Sequence, residues 1–351
     1  MTKHPVTQLT YIWIDGTEPT KKLRCKIKMI GQDDALTLDK IPVWSFDGSS
    51  TYQALGKDSD LILQPVAFIA DSILGTGNYL VLCEVLMPDG SPHKTNTRAQ
   101  LRKVMDTIGK KAELWIGFEQ EYTLFQGLRP LGWPEGGYPA PQGPFYCGVG
   151  ADEVFGRQLV DDHTKICIKS GLMIAGTNAE VMPGQWEFQI GYRNIHSESA
   201  DPITVSDHLW LARWLLYRLG ENYNINVKLD PKPVKGDWNG AGKHTNFSTK
   251  EMRDPKNGMN AIKKAINALE KKHDEHINFY GHGLELRLTG HHETAPITEF
   301  SSGVADRSAS VRIPRHVADI GYGYLEDRRP GANADPYEVS RVLIETICKS
   351  Q

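Results

Sequence analysis

Five glutamates occupy places where a folding chain tolerates charge poorly. Glu119 and Glu121 lie in GFEQEYTLF, Glu180 and Glu187 in GTNAEVMPGQWEFQIG, and Glu326 in YGYLEDRRP. Their neighbours Phe118, Phe125, Trp186, Phe188, Tyr324 and Leu325 favour burial. A carboxylate in such company has to be paired, protonated or bound to a cation, because an unpaired buried charge is very costly. Carboxylates gathered together also repel one another, which calls for a hard cation with oxygen ligands, Mg²⁺ or Mn²⁺. The fold has to bring these separated segments to one place.

The chain of 351 residues is long enough for two or three domains, and its 40% hydrophobic and 24% charged content is that of a globular protein. A net charge of −3 gives no electrostatic case for nucleic acid or an anionic membrane as partner. No run reaches the roughly 18 apolar residues of a membrane helix. The best one, Leu209 to Leu219, is interrupted by Arg213 and Arg218. The opening MTKHPVTQLTYIWIDG has no signal-peptide core. The five cysteines are widely spaced with no CxxC pair, which argues against a disulfide framework or a structural zinc site. A cytoplasmic location is the expectation.

Up to residue 96 the chain reads as a small β-rich domain, with strands at 11–16, 23–31, 43–51 and 78–90. In LRCKIKMIG the basic residues Arg24, Lys26 and Lys28 share one face, as on a solvated edge strand. From residue 97 to 351 helices and strands interleave without a βαβ rhythm, an α+β pattern. Helices are predicted over 95–111, over 152–171, from a Ser206 cap, over 257–277 and over 335–349. Strands are predicted at 113–125 and in MIAGTNAEVM, QWEFQIG, NVKLDPKP, HTNFST and LELRLTG. The Pro/Gly-rich stretch 128–151 is no helix, and Trp133, Tyr138, Phe145 and Tyr146 predict that it packs against something.

Glu119 and Glu121, two apart on a strand, point to one face. Glu180 and Glu187 are seven apart, but Pro183-Gly184 allows a turn that brings both to one site. His244 follows Gly240 and Gly242, which suggest a close backbone approach to a ligand. GAGKHT fails as a Walker A loop, since Lys243 precedes His244 rather than Ser or Thr, and no GxGxxG opens a helix. Arg287, Arg307, Arg312, Arg315, Arg328 and Arg329 sit in loop-like sequence suited to holding anions. Metal carboxylates with arginines, and no nucleophile motif, fit phosphoryl transfer, which depends on positioning and charge neutralisation.

Taken together, WIDG, FDGSST, GFEQEYTLF, GWPEGGYPAPQGPFYCGVGA, GTNAEVMPGQWEFQIG, DPKP, DWNGAGKHTNFST, RLTGHHET, GVADRSASVRIPR and YLEDRRP resemble the second type of glutamine synthetase, over nearly the whole chain. The resemblance implies ATP-dependent ligation of ammonia to L-glutamate through a γ-glutamyl phosphate. It implies a β-grasp domain followed by a catalytic domain with a curved antiparallel sheet and flanking helices. It further implies a decamer of two pentameric rings, with active sites between subunits and two to three Mg²⁺ or Mn²⁺ ions in each.

By the same resemblance Glu121, Glu180 and Glu187 would hold the cation on the glutamate side, and Glu119, His244 and Glu326 the one on the ATP phosphates. Asp47 would take the ammonium proton from a neighbouring subunit, and Glu293 would close over the intermediate. Trp238, Asn239, Gly240, Arg287 and Arg328 would bind the amino acid. Arg307 would serve substrate, phosphate and catalysis, with Arg312 on the phosphates. Trp115, Asn246, Ser248, Arg253 and Tyr324 would contact the nucleotide, with Glu119 and Glu187 at its metal-bound end. Segment 191–210 is longer than this pattern expects, which predicts a surface loop. The 128–151 stretch would be packed scaffold.

Three other readings share parts of this pattern. A guanidino kinase would lack Asp47 and Glu293, a γ-glutamyl ligase for a larger amine would share the whole site, and a non-catalytic relative would have lost the glutamates.

Overall fold

The computed structural model describes residues 6–31, 36–193, 195 and 198–349. The first strands are β1 (Val6–Ile14), β2 (Leu23–Gly31), β3 (Trp44–Asp47), β4 (Asp60–Ala70) and β5 (Tyr79–Leu86). They form one sheet in the order β2-β1-β5-β4-β3, in which β1 and β5 are parallel. Period-two alternation gives this sheet two buried faces. Leu9, Tyr11, Trp13, Val81, Cys83 and Val85 enclose a small core with Phe46, Leu61 and Leu63. Ile12, Leu80 and Leu82 point the other way, into the main core. β2 is an edge strand, as its basic stripe predicts, and Lys26 and Lys28 lie over the Trp44 ring at 3.4 and 4.7 Å.

The larger body opens with α1 (Thr97–Val104), which continues through a π turn into α2 (Lys110–Ala112). Its strands are β6 (Trp115–Gln126), β7 (Arg129–Pro130), β8 (Ile174–Ala179), β9 (Gln185–Gly191), β10 (Asn226–Lys228), β11 (Lys243–Ser248), β12 (Ser302–Val304), β13 (Val311–Ile313) and β14 (Leu325–Asp327). They form a nine-stranded sheet, β12-β13-β14-β11-β6-β9-β8, with β7 and β10 paired to the end of β6. The expected antiparallel sheet is a mixed one, because β12 and β13 run parallel. The helices are α3 (Arg157–Lys169), α4 (Pro202–Tyr223), α5 (Gly258–Lys271), α6 (His273–Ile277), α7 (Arg315–Ile320) and α8 (Pro336–Lys349).

One face of this sheet is apolar. Phe118, Tyr122, Leu124, Trp186, Phe188, Phe247 and Leu325 are buried in a core shared with Leu209, Leu215 and Leu343 from the helices. Burying such side chains supplies about 1.5–3 kcal/mol each. The residues between them in sequence are therefore left to the other face.

Further expectations need correction. LELRLTG is not a strand: Leu284–Leu286 is a 3-10 turn between Gly283 and Gly290, both at positive φ. Leu284 and Leu288 are buried while Leu286 is exposed, so the apolar spacing is one of turns rather than alternation. The α4 cap is Asp201, which accepts from the amides of Ile203 and Thr204 at 3.0 Å, and not Ser206. The later part of the 191–210 segment expected as a longer loop, from Pro202 on, is thus the first turns of α4; Asn194, His196 and Ser197 lie outside the described residues. The 128–151 stretch is anchored at few points, with Phe145 and Pro130 buried but Tyr138 and Tyr146 exposed.

Candidate active site

Strand register assembles the site. β6 lies between β9 and β11, which sets Glu121 opposite Glu187 and Glu119 opposite His244. Further out, Asn246 and Arg312 pair with Glu326, and Asn178 pairs with Glu187. The pleat sends all of these side chains to the face opposite Phe118, Tyr122, Trp186 and Phe247. The β8–β9 turn at Pro183-Gly184 returns Glu180 to the same place, as its spacing predicts.

Two acidic groups result. One ligand atom each from Glu121, Glu180 and Glu187 lie within 4.8 Å of one another, and so do atoms from Glu119, Glu187 and His244. Glu187 belongs to both. Burial, then the Glu121 charge, pushes the Glu180 carboxyl above its ordinary value. Burial, then Glu119, Glu121 and Glu180, does the same to Glu187. Burial, then Arg328, lowers the His244 imidazole to about 3. His244 is therefore neutral, the form that ligates metal, and its 3.3 Å approach to Glu119 is not an ion pair. Crowded carboxylates that resist ionisation, with a neutral imidazole between them, form a donor set that fits a hard divalent cation.

Glu326 stands apart from both groups. It is buried between two guanidinium groups, accepting from Arg312 Nη1 at 2.7 Å and Arg328 Nη1 at 2.6 Å, and its nearest approach to His244 is 3.7 Å. The glycines before His244 also serve differently from the expectation. A Cβ on Gly242 would lie 2.5 Å from Arg287 Nη2 and 2.8 Å from His244 Nε2; one on Gly240 would lie 2.7 Å from Arg287 Cγ. They admit a protein side chain: Arg287 passes close enough for Nη2 to donate to His244 Nε2 at 3.1 Å. The amide of Gly242 donates to Glu121 at 2.8 Å.

Glu119, Glu121, Glu180, Glu187 and His244 line a polar cavity of about 590 Å³, with Asn239, Gly240, Arg287, Glu293, Arg307, Arg312 and Arg328 also in its wall. A second, mostly apolar cavity of about 490 Å³ is lined by Trp115, Asn246, Ser248, Arg253 and Tyr324. Arg253 lies 4.1 Å over the Trp115 ring, and Tyr192 lies 4.7 Å from it. Glu119 and Gln189 line both cavities. Three of the expected site residues line neither cavity, Glu326 being one. Trp238 packs on Trp133 and Tyr138, at 4.6 and 6.1 Å, outside the cavity wall. Asp47 stands exposed at the end of β3, held by the hydroxyls of Ser49 and Ser50 at 2.6 Å, and lines neither cavity.

Residues 5–88 match the family described as "Glutamine synthetase, beta-Grasp domain", and residues 94–348 match "Glutamine synthetase, catalytic domain". The chain belongs to the glutamine synthetase family. Among curated relatives, "Glutamine synthetase" of Streptomyces viridochromogenes is 56% identical, covering 97% of this chain and 96% of the relative. "Glutamine synthetase, chloroplastic" of Chlamydomonas reinhardtii is 54% identical (97% and 90%), and "Glutamine synthetase" of Saccharomyces cerevisiae is 51% identical (96% and 88%).

The structure adds cavity residues that sequence reading passed over. Asn178 and Gln189 lie two positions from Glu180 and Glu187, so alternation alone could have nominated them. His316 joins the second cavity from α7, and Gln142 and His292 join the first from loops, where no periodicity points inward.

Proposed function

We propose that the two cavities together perform the ATP-dependent ligation of ammonia to L-glutamate, giving L-glutamine, ADP and phosphate. The observation that carries the reading is that Glu119 lies in the wall of both cavities, beside the two acidic groups. A nucleotide in the apolar cavity would direct its phosphates at the place where an amino acid in the polar cavity presents a carboxylate. Trp115, with Tyr192 and Arg253 stacked about it, suits a nucleobase.

The γ-carboxylate oxygen of glutamate attacks the terminal phosphorus, and ADP leaves. Ammonia then bonds to the γ-carbon of the acyl phosphate, phosphate departs with its oxygen, and the nitrogen gives up a proton. Arg287, Arg307 and Arg328 orient the amino acid and its developing charge, and Arg312 and Arg307 face the transferred phosphoryl group. Glu121, Glu180 and Glu187, and Glu119, His244 and Glu326, would hold Mg²⁺ or Mn²⁺, two to three ions in all, which supply charge neutralisation along the phosphate path. Glu293 closes the polar cavity to water. Asn246 and Ser248 complete the nucleotide wall, and Asn239 and Gly240 the amino-acid wall.

Asp47 accepts the ammonium proton in this reading, and it does so in the cavity of a neighbouring copy. Its exposed position at the β3 end, away from the cavity of its own chain, supports a ring in which the β-rich domain of residues 1–96 meets the 97–351 body of the next subunit. We take the assembly to be a decamer of two pentameric rings in the cytoplasm; no helix among the described residues is long and apolar enough to cross a membrane.

The test is phosphate release from ATP with Mg²⁺ and glutamate, with and without ammonium, following glutamine directly. Glutamine formed in step with phosphate is expected. Turnover only with a larger amine would replace the reading with a broader γ-glutamyl ligase, and silence with every amine would remove the catalytic reading.

A further inference from the structure

We infer that Gln142, His292 and Asp237 form a latch that fixes Glu293 at the mouth of the polar cavity, with His292 as its positioning residue. The inference rests on the reading of Glu293 as the group that excludes water.

The loop carrying Glu293 is pinched at its base by a bridge between Thr289 and Pro296, and Thr294 Oγ1 donates to the carbonyl of His291 at 2.9 Å. At its tip His292 and Glu293 are both left-handed, with φ of 54° and 58°. Two successive non-glycine residues in that region persist only where surrounding contacts hold them. Glu293 contributes little of that hold. Its side chain is 63% exposed, and its carboxylate stands 3.8 Å from Arg328 Nη2.

The hold comes from His292, through a chain whose direction is set at one end. The backbone amide of Asn239 can only donate, and it donates to Gln142 Oε1 at 2.7 Å. That orients the Gln142 amide so that its NH₂ group donates to His292 Nδ1 at 2.9 Å. The imidazole proton therefore sits on Nε2, which donates to Asp237 Oδ1 at 2.8 Å. Both ring nitrogens are thus partnered, Nδ1 as acceptor and Nε2 as donor. Three separate segments meet in this chain: the Pro/Gly-rich loop with Gln142, the turn carrying Asp237 and Asn239, and the Glu293 loop. The latch thus gives the long 128–151 loop a task, joining the amino-acid wall at Asn239 to the residue that covers it.

The readout is the ratio of phosphate released to glutamine formed, because an ill-placed Glu293 admits water to the acyl phosphate, whose hydrolysis returns glutamate and phosphate. His292→Ala and Asp237→Ala are expected to raise that ratio about threefold or more while the KM for ATP stays within about twofold. The Asp237 side chain is 98% exposed, so its removal does not threaten folding. Gln142→Glu supplies a readout that mere scaffolding would not move. It places acceptors on both sides of the ring, so only the doubly protonated imidazole satisfies both. Tight coupling in this variant should then hold at low pH and fail as pH rises. Glu293→Ala is run in parallel. If it uncouples while His292→Ala and Asp237→Ala stay coupled, the latch is wrong. If Glu293→Ala itself stays coupled, the reading of Glu293 fails first.

Discussion

Glu121 lies directly across from Glu187 in the β6–β9 register, both buried. Like charges opposite one another weaken a sheet. The cation-free protein should therefore be less stable than a variant with one charge removed. Glu187→Gln is expected to raise the cation-free unfolding free energy by about 1 kcal/mol, and to reduce strongly the further gain on adding Mn²⁺. Thermal denaturation of both proteins with chelator and with Mn²⁺ checks this. A parent as stable as Glu187→Gln in chelator, with equal gains from Mn²⁺, would remove Glu187 from the cation site.

The raised carboxyls of Glu180 and Glu187 give a pH dependence. With folded values above unfolded ones, the folded cation-free state binds more protons than the unfolded state, so this contribution to stability is lost as pH rises above the ordinary carboxylate range. Cation binding requires those protons to leave. Affinity for Mg²⁺ or Mn²⁺ should rise with pH from about 5 upward, with proton release on binding. Calorimetry in buffers of different ionisation enthalpy measures the released protons directly; none released at pH 7 would contradict the raised carboxyls.

Gly242→Ala puts a methyl group 2.5 Å from Arg287 Nη2 and 2.8 Å from His244 Nε2. Both side chains line the polar cavity. Activity should fall about 100-fold or more, as for a misplacement of about 1 Å in a catalytic array, while thermal stability falls modestly. Near-normal turnover would show that the Arg287–His244 contact is dispensable.

Lys243 occupies the other face of β11, fully buried, with its amine 4.7 Å over the Phe118 ring and no hydrogen-bond partner among the described residues. Burial, then the Arg213 charge, pushes it well below its ordinary value. The unfolded chain thus binds the proton that the folded chain refuses, so stability rises with pH until the unfolded lysine titrates near 10.5. Lys243→Met should stabilise the protein by about 1–3 kcal/mol at neutral pH, with the advantage shrinking towards pH 10. Denaturant unfolding at the two pH values checks both the gain and its decline.

Asp47 and the acidic groups belong to different subunits of one site in the proposed ring. Asp47→Ala and Glu187→Gln subunits, each nearly inactive alone, should regain up to about one quarter of activity when co-assembled in equal amounts, the share of interfaces that pair two intact halves. Co-expressed chains with distinct tags measure it, and no recovery in mixed oligomers would place Asp47 outside the site.

Much of this site is legible in the residues because strands write with period two. Glu119 and Glu121 share a face by spacing alone, and Pro183-Gly184 announces the turn that returns Glu180. What spacing does not carry is which strands become neighbours. The pairing of Glu119 with His244 depends on the register of strands more than a hundred residues apart. Gly240 and Gly242 suggest a close approach to a ligand, but a glycine does not say what approaches, and here it is the Arg287 side chain. LELRLTG shows the limit from the other side: three leucines alternate, yet two are buried as in a turn.

β6 carries Trp115 in one cavity, Glu119 in the wall of both and Glu121 in the other, and it is hydrogen-bonded along both edges. The strand is in effect a fixed gauge. At about 3.3 Å per residue, the span from Trp115 to Glu121 is a matter of backbone pitch, beyond the reach of any loop movement. Inserting or deleting a single residue there would turn the carboxylates into the core and the aromatics outward. In the proposed reaction, the distance between the two substrates would then be built into the sheet itself, leaving only the loops at the cavity rims free to change shape.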